Sequence, residues 1–130
     1  MARITIDYQI NLEDEKVKEI VDNAIKLGLR DTIVDIHRDA ATLSPKRTGH
    51  NMRSIASEVS GMGVVEQGDD AEPERVVDDS KNEAACYSTS GYGGYLETGT
   101  FKMAAQPYFR PAFDMHKDEL IDNIRNHVEE

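Results

Sequence analysis

Tryptophan is absent from this 130-residue chain, and cysteine and proline are scarce, at one and four copies. With a single thiol, Cys86, no intramolecular disulfide can form, so packing must hold the fold and the chain suits a reducing cytosol. No apolar run approaches the roughly 20 residues of a membrane-spanning helix. The amino terminus alternates polar and apolar residues where an export signal would place a basic stretch and an apolar block. A soluble protein made in the cytoplasm, without a membrane partner, is expected. Positive charge is also in deficit: 15 Lys and Arg face 25 Asp and Glu, for a net charge of −10. That balance excludes wrapping nucleic acid over most of the surface and leaves room only for a local basic patch.

What is present fits one domain spanning residues 1–130, because a chain this short supports a single core that buries roughly 65–70% of the unfolded surface. Apolar residues make up 38% of it, a modest supply, and some apolar faces are expected to complete their burial against other subunits.

The periodicity changes along the chain. Ile4, Ile6, Tyr8 and Ile10 alternate with Arg3, Thr5, Asp7 and Gln9, which predicts a half-buried strand over 3–10. From about Leu12 to Leu43, Val17, Ile20, Val21, Ala24, Ile25, Ile33, Ile36 and Ala40 recur at helical spacing. Asn11 stands as the cap, Glu13, Asp14 and Glu15 fill the first turn, and Ser44-Pro45 ends the helix. Gly28 in its middle marks a kink or a close-packing point. After a turn over 45–49 and a short helical turn near Asn51, one extended run is expected from Ile55 to Glu66 and a further strand at 84–88. A final helix is expected from Pro111 to His127. The predicted class is α+β, a small antiparallel sheet packed with a long N-terminal helix and a C-terminal helix.

Between Asp69 and Glu83 the carboxylates of Asp69, Asp70, Glu72, Glu74, Asp78, Asp79 and Glu83 face only Arg75 and Lys81. This acidic loop, about 67–83, reads as a solvated hairpin with a short strand at Val76-Val77. A second irregular stretch, the Pro-rich arm at about 101–111, carries Pro107 and Pro111.

Chemistry is hard to find. His37, His50, His116, His127 and Cys86 lack the short paired spacings of zinc sites, so no metal is expected. Ser44 and Ser54 lie in no nucleophile elbow, and Gly91-Tyr92-Gly93-Gly94 lacks the ending of a phosphate loop. Neither an enzyme nor a cofactor is expected. Lys46, Arg47, His50 and Arg53 form one basic cluster suited to DNA phosphate or an acidic partner, though a solvated turn explains it equally well.

Three blocks carry a resemblance. Ser44, Pro45, Lys46, Arg47, Thr48 and Gly49 followed by Met52 and Ser54-Ile55; Tyr92-Gly93, Leu96-Glu97 and Gly99-Thr100; and Gln106-Pro107 with Phe109, Pro111 and Ala112 occur in one order. Together they resemble the neck proteins of tailed bacteriophages, also described as tail-completion, minor tail or head-tail joining proteins. Departures are Gly93 where alanine is usual, Asn51-Met52 where leucine is usual, and the acidic insertion.

The resemblance implies a structural protein of the virion neck, forming a homo-oligomeric ring of sixfold-related copy number. Head-connector and tail proteins would be its neighbours, with DNA passing through the channel without sequence-specific binding. Pro45, Thr48, Gly49, Tyr92, Glu97, Gly99, Thr100, Pro107, Phe109 and Pro111 are then the assembly residues. Glu97 is expected to be a half-buried carboxylate bonded by Thr98, Thr100 or a neighbouring subunit. Tyr108 and Phe109 are expected to pack into their own core or a neighbour's. The alternatives are a tail-terminator protein and a small nucleic-acid or partner-binding module using the Lys46–Arg53 cluster.

Overall fold

The structure, a computed structural model, describes residues 1–7, 15–45, 49–100 and 104–129. The first strand, β1 (Ala2–Ile6), keeps the alternation: Ala2, Ile4 and Ile6 turn toward the core while Arg3 and Thr5 face outward. Tyr8, Ile10, the Asn11 cap and the acidic first turn at Glu13 and Asp14 lie outside the described residues. The long helix α1 (Glu15–Leu43) has 29 residues, about 44 Å of rise. Its buried stripe of Ile25, Leu29, Ile33, Ile36 and Ala40 is the spine of the main core.

After the short helix α2 (His50–Arg53) come β2 (Ile55–Val59), β3 (Gly63–Gln67) and β4 (Asn82–Ser88). The sheet order is β1-β4-β2-β3, antiparallel throughout, with Ala2 opposite Cys86 and Ser57 opposite Cys86 on its other side. The fold is thus α+β. The run expected to be continuous from Ile55 to Glu66 is a hairpin instead. Gly61 and Gly63 take φ of 77° and 72°, a left-handed geometry that costs glycine least, and the Met62 amide bonds the Val59 carbonyl at 3.0 Å.

β2 is buried at all five residues, so both of its faces are covered. α1 lies over the face bearing Ile55, Ser57 and Val59. The acidic segment covers the other, and it is not the solvated hairpin expected. It crosses the sheet as an extended strap in which every second backbone N–H from Gly68 to Asp78 is bonded to the body beneath. Gly68 and Asp70 donate to the carbonyls of Ile55 and Arg53, both at 2.9 Å. Glu72, Glu74, Val76 and Asp78 donate to side-chain oxygens of Thr89 (3.0 Å), Tyr87 (2.8 Å), Glu58 (3.3 Å) and Glu83 (3.1 Å). Val76 and Val77 form no strand; with Ala71 they pack on Ala56, Ala85 and Tyr87 in a second small core.

The last third forms α3 (Gly93–Thr98), α4 (Phe109–His116) and α5 (Leu120–Val128), the last two joined by a 3₁₀ turn at Lys117–Glu119. The helix expected from Pro111 to His127 therefore starts two residues earlier and changes pitch midway. α5 crosses α1 at Gly28, where an added Cβ would lie 2.5 Å from Ile124 Cγ1 and 2.9 Å from the Ile124 backbone nitrogen. Close packing, not a kink, explains this glycine. Beside it Asn123 donates to Thr32 Oγ1 at 2.9 Å, and Thr32 donates to the Gly28 carbonyl at 2.9 Å.

These distances decide the sign of a substitution. Alanine at position 28 gains about 1 kcal/mol of helix propensity. Pushing against backbone atoms costs about 1–3 kcal/mol or more. Gly28→Ala is expected to destabilise the protein by roughly 1–2 kcal/mol net in urea titration. Adding Ile124→Ala should restore only part, since the backbone nitrogen remains; a stabilised G28A protein would show that α5 does not seat here.

Candidate functional site

The three blocks of the resemblance, the first of them far from the other two in sequence, meet in one place. Pro45 follows the end of α1, closed by the Ser44 amide on the Ala40 carbonyl at 2.9 Å, and Gly49 turns the chain into α2 with φ of 73°. Lys46, Arg47 and Thr48 lie outside the described residues. Just beyond the turn, the buried Asn51 ties the blocks together. Its amide nitrogen donates to Ser44 Oγ at 2.9 Å, and its Oδ1 accepts from Ser88 Oγ at 2.6 Å and Ser90 Oγ at 2.7 Å. One side chain thereby joins the end of α1, the end of β4 and the entry to α3.

Tyr108 enters the same knot from the third block. Its phenol is fully buried, donates to the Gly93 carbonyl at 3.2 Å, and has its pKa raised by that burial, against the pull of Asn51 and Ser88. Gly93, where the resemblance leads one to expect alanine, has no space for a methyl group. A Cβ there would come within 2.5 Å of both the Tyr108 hydroxyl and Ser88 Cβ. Phe109 is buried beside it, ring centroids 4.3 Å apart, so both aromatic residues pack into the chain's own core.

Glu97 holds the start of α4. It is half-buried as expected, but its partners are neither Thr98 nor Thr100. Its carboxylate accepts the backbone N–H groups of Phe109 (2.7 Å), Tyr108 (3.2 Å) and Arg110 (3.4 Å). Thr98 instead bonds back to the Gly94 carbonyl at 3.0 Å, and Thr100 is exposed. A helix leaves its first N–H groups without intrahelical partners. Here three go to Glu97, and Pro111, next in line, has none to place. Negative charge at that end also opposes the helix dipole. Pro107 is exposed, and the Gln106 amide on the Leu96 carbonyl at 2.7 Å brings the arm alongside α3. Gly99 ends α3 with φ of 79°, its amide on the Tyr95 carbonyl at 2.7 Å, and Tyr92 sits at the exposed entry. A cleft of about 540 Å³ opens beside the knot, between Met1 to Arg3 and Pro107, Phe109 and Phe113.

The two described members of the basic cluster turn toward the strap. Arg53 Nε lies 2.9 Å and His50 Nδ1 3.3 Å from one Asp70 oxygen. The strap covers a buried carboxylate, Glu58, which sequence reasoning did not single out. Tyr87 donates its hydroxyl to Glu58 Oε2, while Arg75, whose φ of 57° is left-handed, brings its guanidinium to 3.5 Å from Oε1. Burial first, and then the Glu58 carboxylate, push the Tyr87 phenol up to about 12.

Under α1 a serine and a histidine also meet: His37 Nδ1 is 2.7 Å from Ser57 Oγ, next to Cys86, whose thiol burial raises to about 12. All three are buried, Ser57 and Cys86 completely. This is core packing on the sheet's inner face. Ser54, weighed with Ser44 from the sequence, closes its own helical turn on the His50 carbonyl at 2.7 Å.

Burial lowers the His37 pKa below 6.5, outweighing the distant pull of Glu66. The folded state therefore resists a proton that the unfolded chain accepts below about 6.5. Stability from this group is complete above that value and is lost as pH falls toward the folded pKa. His37→Gln is expected to flatten the acid-side slope below about pH 6.5 relative to the parent protein, measured by urea unfolding at each pH. An unchanged slope would mean that His37 is charged in the fold.

Asn51, Ser88, Ser90 and Tyr108 complete the site with Glu97; the sequence blocks held Glu97 and Tyr108, had Asn51 as a departure, and did not point to Ser88 or Ser90. Its chemistry is positional: hydroxyls, an amide and a carboxylate fix loop ends and a helix start. No family model, curated protein or solved structure matches this chain.

Proposed function

We propose that this chain is a structural virion protein of a tailed bacteriophage, a neck or tail-completion component that joins the DNA-filled head to the tail. It acts by ring assembly and interface burial. The observation that carries the reading is the convergence of the three resembling blocks on Asn51, Glu97 and Tyr108. The bonds made by these three side chains hold α3, the arm and α4 in a fixed relation.

Copies of the chain, head-connector proteins and tail proteins would be its partners. Exposed carboxylates of the strap, among them Asp69, Glu72, Glu74 and Asp79, suit a surface along which DNA slides without being held.

Electron microscopy of particles from a phage with a nonsense codon early in this gene tests the role. Filled heads and separate tails of normal length are expected. Tails of uncontrolled length would move the role to tail termination, and normal infectious particles would overturn the structural reading.

A further inference from the structure

α1 and the C-terminal helices meet a second time at the far end of their crossing, around His116. α1 contributes Asp35 and Asp39, one turn apart on the same face. The other side contributes His116, the last residue of α4, and Glu119 in the 3₁₀ turn. In a 3₁₀ turn residues three apart eclipse, so the change of pitch sets Glu119 over His116 instead of rotating it away. Asp35, His116 and Glu119 each offer a ligand atom within 4.8 Å of the other two.

The two ring nitrogens are used differently. Nδ1 is 3.0 Å from Glu119 Oε2, and Nε2 is engaged by the Asp39 carboxylate on the opposite edge of the ring. Metal-ligating histidines characteristically give their other N–H to a carboxylate, which fixes the tautomer and ring orientation and leaves the remaining nitrogen's lone pair for the ion. Asp39 occupies that supporting position, independently of the three donor atoms.

We propose that Asp35, His116 Nδ1 and Glu119 bind one first-row divalent transition-metal ion of the zinc class, with Asp39 as the positioning residue on Nε2. Two carboxylates match the charge of such an ion, and an imidazole with oxygen donors suits zinc, whereas Ca²⁺ and Mg²⁺ prefer all-oxygen surroundings. Water would complete the shell on the open side, since Glu119 is 48% exposed. Arg38, 3.4 Å from Asp35 and itself 70% exposed, pairs with Asp35 and can swing clear. Bound there, the ion would clamp the C-terminal helices to α1.

The test is calorimetric titration of ZnCl₂ into the chelator-stripped full chain near neutral pH. One saturable site is expected, undisturbed by millimolar Mg²⁺ or Ca²⁺. Glu119→Gln and Asp35→Asn, both at partly exposed positions, should each weaken it by about tenfold or more, and Asp39→Asn by about 10–100-fold. Asp31→Asn, at the neighbouring His127 pair, should leave it unchanged. Co²⁺ in place of zinc should give visible bands that shift in the Asp39→Asn protein. Absence of saturable zinc binding, or affinity unchanged in both E119Q and D35N, would overturn the proposal.

Discussion

Glu97→Ala is expected to cost about 3 kcal/mol of folding stability, near the top of the range for a side chain that is only half-buried. Each hydrogen bond to a charged acceptor is worth about 1.5–3 kcal/mol, and three share this carboxylate, so their sum is an upper bound. The loss does not stop at the cap. Tyr108 and Phe109, whose amides are released, are core residues, and fraying the first turn of α4 pulls them from their seats. For a chain of this size the change corresponds to a fall in Tm of roughly 10 °C. Glu97→Gln keeps the shape and one acceptor oxygen without the charge, and should lose about half as much. Hydrogen exchange should speed up first at the amides of Phe109 and Arg110. A loss below about 0.5 kcal/mol in E97A would mean that α4 is capped by something else.

The second large effect lies on the opposite face of the sheet. Tyr87→Phe removes one hydroxyl that serves two partners, donating to Glu58 and accepting from the Glu74 amide at 2.8 Å. The carboxylate left behind is fully buried, with Val76 N–H at 3.3 Å and Arg75 at 3.5 Å as its remaining partners among the described residues. Stripping one partner from a buried charge costs about 3–5 kcal/mol, whereas replacing the whole set by apolar groups of similar volume is close to neutral. Y87F alone should therefore lose about 3 kcal/mol, and the double variant Tyr87→Phe with Glu58→Leu should be more stable than Y87F. Strap release gives a second readout: trypsin should cut after Arg75 faster in Y87F than in the parent. If the double variant were instead as unstable as the two losses added, Glu58 and Tyr87 would not be coupled.

Much of the architecture was legible because it rests on periodicity. The alternation at Arg3 to Ile6, the helical spacing from Val17 to Ala40 and the Ser44-Pro45 stop all have local causes, and the structure keeps them. The hairpin at 60–62 was missed because apolar residues on both sides suggested one strand. Gly61 and Gly63 were the visible sign of the turn. The strap was misread for a different reason: its carboxylates are indeed mostly exposed, but what anchors it is backbone N–H, which composition does not report. Val76 and Val77 hinted at burial; their lodging on Ala85 and Tyr87 depends on a sheet formed by distant segments.

The site was half legible. Glu97 was recognised as a half-buried carboxylate, but its donors lie eleven to thirteen residues further on and belong to the main chain. Asn51 drew notice as the start of a helical turn and as a departure from the expected pattern, not for its side-chain bonds. Asp39 and His116 are 77 positions apart, so no spacing rule could have joined them.

The knot at Asn51 also sets an order of events in time. Its members run from Ser44 to Tyr108, and α1 depends for part of its cover on Phe109, Ala112 and Ile124, which are made well after it. A polypeptide still growing on the ribosome thus carries an uncovered apolar helix until α4 and α5 have been made. Contacts so distant along the chain close slowly, and the intermediate is prone to stick to its neighbours. Completion of the monomer is therefore a late and all-or-none step, and chains truncated before α4 should accumulate as aggregates, not as shortened but folded protein.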